Sequence, residues 1–96
     1  IVIGNNVRIG GDCIMIDSDC HSLNYVQRRE AVSDMLNTKS KQITIEDDVM
    51  IGARCIILKG VVIGARSVIG AGAVVTRSIP ADCIACGNPA KIIKRI

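Results

Sequence analysis

Aromatic residues are nearly absent: the chain has no phenylalanine, no tryptophan and one tyrosine, Tyr25. Bases could not stack on a row of aromatic rings here, which removes the usual platform for single-stranded nucleic acid. The net charge is only +3, and the basic residues are scattered over turns and the C-terminus rather than gathered in a stripe, so a nucleic-acid partner is not expected. No apolar run approaches the roughly 20 residues needed to span a bilayer, and no signal-peptide pattern opens the chain. A cytoplasmic protein without a membrane span is the expectation. One histidine, His21, and five cysteines offer little to a metal. Cys83 and Cys86 form a C-x-x-C without a second such pair, so neither zinc nor redox chemistry is expected there. Five cysteines cannot all pair within one chain, and Cys13 and Cys55 read as small apolar groups, which suits a reducing compartment.

What the chain has is a period. An aliphatic residue recurs in steps of six at Ile3 and Ile9 and again at Ile45, Ile51, Ile57, Ile63, Ile69 and Val75, usually followed by glycine or a turn-forming residue. Side chains alternate across a strand, so Val49 with Ile51, Cys55 with Ile57, Val61 with Ile63, Ser67 with Ile69 and Ala73 with Val75 face the same way. The residues after each aliphatic position, such as Gly52-Ala53-Arg54 and Gly70-Ala71-Gly72, suit tight turns. Each hexad is therefore a short strand plus a corner. Three corners close a coil of about 18 residues, and stacked coils roughly 4.8 Å apart share parallel backbone hydrogen bonds. The fold class expected is all-β: a parallel β-helix of hexapeptide repeats, forming a single domain over residues 1–96.

So short a chain is marginal on its own core, and a partner subunit is expected. Met50, Ile56, Val62, Val68 and Val74 take the outward position of successive strands, an apolar row that self-association about a symmetry axis would cover. The chain opens at Ile1 with the phase already running by Ile3. It reads as processed or truncated at its N-terminus, with upstream residues expected over the first coil.

The repeat breaks once. Residues 22–42 contain no hexad, are polar and charged, and form an excursion loop that includes Arg28, Arg29 and Glu30; such long loops carry function. At its root lies Asp17-Ser18-Asp19-Cys20-His21. In extended geometry Asp19 and His21, two apart, share a side, where the carboxylate would fix the imidazole tautomer. Strict hexad phase would bury both, which neither tolerates unpaired, so the chain is expected to leave the coil here.

These features together closely resemble the hexapeptide-repeat acyltransferases, particularly the sugar and xenobiotic O-acetyltransferase group. The resemblance covers nearly the whole chain. It is carried by the hexads, by D-S-D-C-H-S at 17–22, I-E-D-D-V-M-I-G-A at 45–53, K-G-V-V-I-G at 59–64, V-I-G-A-G-A-V-V-T-R-S-I-P at 68–80 and G-N-P-A-K-I-I-K at 87–94. The ordered set ending in G-N-P-A-K is the specific part. The resemblance implies a left-handed coil, against the usual crossover hand, a short C-terminal tail or helix, and a homotrimer with sites between subunits.

It also implies roles. His21, with Asp19, matches the catalytic position, a general base taking a proton from an acceptor hydroxyl as it attacks the acetyl-CoA thioester, with no acyl-enzyme. Gly52, Ala53 and Ala71 match corners that approach the pantetheine arm of the acyl-CoA. Thr76, Arg77, Lys91 and Lys94 match positions near its phosphates, where cations suit. Asp17, Arg28, Arg29 and Glu30 are the acceptor-binding candidates. No metal is implied. Met50 stands where many relatives have tryptophan, and Cys86 where they have a small or aliphatic residue. The acceptor hydroxyl would belong to a sugar, a polysaccharide precursor or an antibiotic. Two other classes are the zinc hydratases of the same coil, which need three histidines, and a non-catalytic β-helix scaffold or inactive relative.

Overall fold

Turning every six residues requires one corner residue that most side chains disfavour. The computed structural model describes all 96 residues, and in it Asp48, Arg54, Gly60, Arg66 and Gly72 have φ between 58° and 76°. Asn6, Asp12 and Asp82 turn likewise in the outer coils, with φ of 57–59°. Glycine, asparagine and aspartate visit this left-handed region readily; Arg54 and Arg66 do so at about 1–2 kcal/mol each. Arg66 recovers part of that cost one coil along, where its Nε and Nη2 donate to Asp82 at 2.6 and 2.9 Å.

Between corners lie strands of two or three residues. They are β1 (Val2–Ile3), β2 (Arg8–Ile9) and β3 (Ile14–Ile16), then after the excursion β4 (Thr44–Ile45), β5 (Met50–Ile51), β6 (Ile56–Leu58), β7 (Val62–Ile63), β8 (Val68–Ile69) and β9 (Val74–Val75). Consecutive strands enter three different sheets in rotation, β1-β4-β7, β2-β5-β8 and β3-β6-β9, all paired in parallel. Thr44 pairs with Val62, Met50 with Val68 and Ile56 with Val74, the 18-residue step that the hexads predict. The core is what the inward positions dictate: Ile45, Ile51, Ile57, Ile63, Ile69 and Val75 are buried, as are the smaller Val49, Cys55, Val61, Ser67 and Ala73. Ser67 stays satisfied by donating to the Pro80 carbonyl at 2.6 Å and accepting the Cys83 N–H at 3.2 Å. Ile3 and Ile9 lie on the same ladders but remain 46% and 41% exposed, because coils stack on them from one side only.

Two parts differ from expectation. The excursion is not a plain loop: it holds α1 (Tyr25–Arg28) and α2 (Ala31–Asn37). Asn24 caps α1 by accepting from Val26 N–H and Gln27 N–H, and Glu30 caps α2 by accepting from Val32 N–H and Ser33 N–H. Capping residues placed just before short helical stretches explain both. The C-terminal segment is neither tail nor helix. It forms β10 (Cys83–Gly87) and β11 (Ala90–Arg95), an antiparallel hairpin whose first strand continues the β2-β5-β8 sheet in parallel with β8. Cys83 and Ala85 continue the inward ladder, and Ile92 and Ile93 are β-branched, so extended backbone suits both strands.

Candidate active site

The excursion leaves and rejoins the coil through a narrow antiparallel neck. Asp19 N–H donates to the Lys39 carbonyl and Lys41 N–H to the Asp17 carbonyl, each at 2.9 Å, with Ser18 bridged to Ser40. Alternation sends successive side chains of such a neck to opposite faces. Cys20 then interrupts it, with φ at 67°. The left-handed residue rotates the chain between Asp19 and His21, so the two side chains part company.

His21 meets a different carboxylate. Its Nδ1 lies 2.6 Å from Asp34 Oδ2, on α2, while Asp34 Oδ1 accepts the Ser22 N–H at 2.6 Å. The hydrogen bond with His21, followed by the one from Ser22, holds the Asp34 carboxyl below its ordinary value of 3.8. An ionised carboxylate only accepts, so Nδ1 carries a proton, and in the neutral imidazole the lone pair is then on Nε2. The His21 side chain is 66% exposed and lines an open cavity of about 310 Å³ with Cys20, Ala31, Asp34, Met35, Thr38 and Ser40. Thr38 Oγ1, at the C-cap of α2, donates to the Asp34 backbone carbonyl at 2.7 Å, bracing the backbone of the residue that carries the carboxylate.

The expected Asp19–His21 pair is thus corrected. Asp19 Oδ1 lies 3.2 Å from Lys59 Nζ instead. Asp34, thirteen residues from His21, escaped sequence reasoning because no local spacing links them. One signal was available: residues 22–42 contain only two carboxylates, Glu30 and Asp34, and Glu30 has the position of a helix cap.

The acceptor candidates have local tasks, and none lines the His21 cavity. Asp17 Oδ2 lies 3.8 Å from the N-terminal amine. Arg28 Nη1 donates to the Ser22 carbonyl at 3.1 Å, bracing the residue beside His21. Arg29 covers the Tyr25 ring at 5.1 Å. Glu30 spends both carboxylate oxygens on the α2 cap.

Thr76, Arg77 and Lys91 do come together, with Pro89 and Ala90, around a cavity of about 290 Å³. Neither cation is in an ion pair, so both are available to phosphate. Lys94 lies outside it, exposed on β11 opposite Ile84. Gly52 and Ala71 are stacked corners of neighbouring coils. A Cβ on Gly52 would stand 2.6 Å from Ala71 N and 2.8 Å from Ala71 Cα, so glycine is required there by packing alone. Ala53 and Ala71 are exposed beside it.

Residues 42–77 match the family model described as hexapeptide repeat of succinyl-transferase. A Schizosaccharomyces pombe protein named as an acetyltransferase is 44% identical across all 96 residues, which span 44% of its length. A Staphylococcus aureus 2,3,4,5-tetrahydropyridine-2,6-dicarboxylate N-acetyltransferase is 49% identical over 53 residues, 55% of this chain and 22% of that protein. The chain thus spans less than half the length of these relatives. Among solved structures, a hexapeptide-repeat acetyltransferase of Vibrio cholerae complexed with acetyl coenzyme A superposes with a TM-score of 0.84 at 42% identity, covering 97% of this chain and 49% of that one. A galactoside acetyltransferase in complex with coenzyme A gives 0.85 at 36% identity, covering 99% and 45%. With its 18-residue coils, its single excursion and these matches, the chain belongs to the hexapeptide-repeat acetyltransferases.

Proposed function

We propose that this chain carries the catalytic histidine and the donor-binding corner of an acetyl-CoA-dependent O-acetyltransferase. The observation that carries the reading is the Nδ1 of His21 fixed on Asp34 at 2.6 Å, which leaves Nε2 without a partner on a residue that lines an open cavity. Acetyl-CoA, when bound, supplies an activated acetyl thioester. Arg77 and Lys91 suit its phosphates, Thr76 adds a hydroxyl at the same cavity, and the small corners Gly52, Ala53 and Ala71 suit close approach by an extended arm. The fit is chemical: two unpaired cations converge where a polyanion would lie.

The chain's own contribution is proton management. An acceptor hydroxyl within hydrogen-bond reach of His21 Nε2 gives up its proton there as its oxygen attacks the acetyl carbon. Asp34 stabilises the imidazolium that results, and the proton passes on to the departing thiolate. Ser22 N–H and Thr38 Oγ1 hold Asp34 from two sides, which keeps the imidazole oriented through the transfer. No acyl-enzyme is needed.

A hydroxyl acceptor is favoured because it needs a general base throughout. The S. aureus N-acetyltransferase relative favours an amine as the second reading. The two separate by the stability of the product: an ester acetyl is lost in mild alkali and an amide acetyl is kept. Incubation with acetyl-CoA and sugar hydroxyl acceptors is expected to give alkali-labile acetylation. Alkali-stable product would move the assignment to nitrogen, and no acetyl-CoA binding by folded protein would point to a scaffold.

The same reading includes a left-handed coil, supported by the Vibrio and galactoside enzyme superpositions, and a homotrimer. The outward apolar residues divide among the three faces, Met50 and Val68 on the β2-β5-β8 sheet, Val62 on β1-β4-β7, and Ile56 and Val74 on β3-β6-β9. They form no single row, and a trimer contact would cover one such face. Five free cysteines suit a reducing, cytoplasmic setting.

A further inference from the structure

The neck of the excursion has a second face. While His21, Thr38 and Ser40 line one cavity, the alternate residues Asp19, Asn37 and Lys39 line another of about 300 Å³, together with Asn24 and Gln27. That volume is at the small end of ligand sites. Its polar atoms are only partly used. Asn24 Oδ1 is occupied capping α1, leaving its amide N–H₂ free. Gln27 Oε1 accepts from Ser22 Oγ at 2.7 Å, leaving its own N–H₂ free. Asn37 Nδ2 donates to the Ser33 carbonyl at 2.8 Å, leaving Oδ1 to accept. The charge of Asp19 is matched by Lys59 at 3.2 Å, whereas Lys39 has no ion-pair partner. The uncompensated charge at this cavity is therefore positive, set among amides that suit hydroxyl groups.

We propose that this cavity binds a carboxylate-bearing sugar residue of the hexuronate class, as a subsite for a neighbouring unit of an extended acceptor. Lys39 pairs with the carboxylate, the amides of Asn24 and Gln27 donate to ring hydroxyls, and Asn37 Oδ1 accepts from one. The subsite rests on the acetyltransferase reading for its purpose but not for its binding chemistry. It shares Ser22 with the catalytic assembly: the Ser22 backbone N–H holds Asp34 at 2.6 Å while its hydroxyl holds Gln27. Occupancy therefore lies one residue from His21 without touching it.

The test is a saturation titration followed by NMR, without acetyl-CoA, using methyl β-D-glucuronide and methyl β-D-glucoside as probes on the full chain. The glucuronide is expected to bind saturably and about tenfold more tightly than the glucoside, the size of one charge-assisted hydrogen bond. Lys39→Met, at an exposed position with its backbone contacts intact, is expected to erase that difference. No saturable glucuronide binding, equal binding of both probes, or binding indifferent to Lys39→Met overturns the proposal. Its failure leaves acetyl transfer standing, since turnover at His21 is measured separately with acetyl-CoA.

Discussion

Gly52→Ala isolates what the stacked corners demand. The added Cβ would fall 2.6 Å from Ala71 N, 2.8 Å from Ala71 Cα and 3.1 Å from Gly70 C, against an ordinary contact of about 3.5–4.0 Å. All three are backbone atoms, so no side chain can swing aside. The coils would have to part by close to an ångström where Gly52 N–H donates to the Ile69 carbonyl at 2.8 Å, stretching that bond and its neighbours. Overpacking of this kind costs typically about 1–3 kcal/mol. For a domain of this size it corresponds to a fall in Tm of about 4–8 °C per kcal/mol. Gly11→Ala is the control, because its Cβ would meet nothing within 4 Å. Thermal unfolding by circular dichroism reads both. A Gly52→Ala protein melting with the wild type, or a Gly11→Ala protein falling equally, would refute the stacked-corner account. It would return Gly52 to a purely ligand-facing role.

Other outcomes follow from the same geometry. Ile51→Ala, at a site 1% exposed, should cost about 2–5 kcal/mol. Ile9→Ala, its register partner at 41% exposure, should cost well under half as much in urea titrations; equal costs would refute the graded core. Asp34→Asn should lower kcat about tenfold or more with KM for acetyl-CoA unchanged, and Asp34→Glu should restore part of it. A rise in KM alone would make Asp34 merely structural. The carboxyls of Asp34, Asp82 and Glu30 all lie below their ordinary values of 3.8, 3.8 and 4.5, chiefly through His21, Arg66 and the Ser33 N–H respectively. Depressed folded values mean the contribution is complete above the ordinary value and is lost as pH falls through the folded one. The Tm of the wild type should therefore drop below about pH 4, and Asp82→Asn should shrink that drop; an unchanged drop would refute the Arg66–Asp82 assignment.

The coil was legible because a period needs no long-range information. Ile45, Ile57 and Val75 each announce an inward position locally, and the 18-residue pairing follows from three corners. The corners themselves were read as a stretch of small or polar residues. That only one residue per hexad turns left-handed, including Arg54 and Arg66, depends on a neighbouring coil holding it there. The His21–Asp34 pair was illegible for a related reason. Alternation linked His21 to Asp19, and only the positive φ of Cys20 breaks that link. Arg28 and Glu30 drew attention as charged loop residues, yet a charge that braces a carbonyl or caps a helix has the same sequence signature as one that meets a ligand. The C-terminal hairpin was illegible because β10 joins β8 at a 16-residue step, Ile84 with Val68, off the 18-residue period that the hexads set.

If His21 is the base, removing its imidazole abolishes the transfer. The direct measurement is the release of CoA thiol from acetyl-CoA with a hydroxyl acceptor, comparing wild type with His21→Ala. A loss of on the order of 10² or more in kcat is expected, with Tm and acetyl-CoA-dependent stabilisation retained, because the His21 side chain is 66% exposed and lies outside the core. Turnover in folded His21→Ala protein equal to wild type would contradict the account.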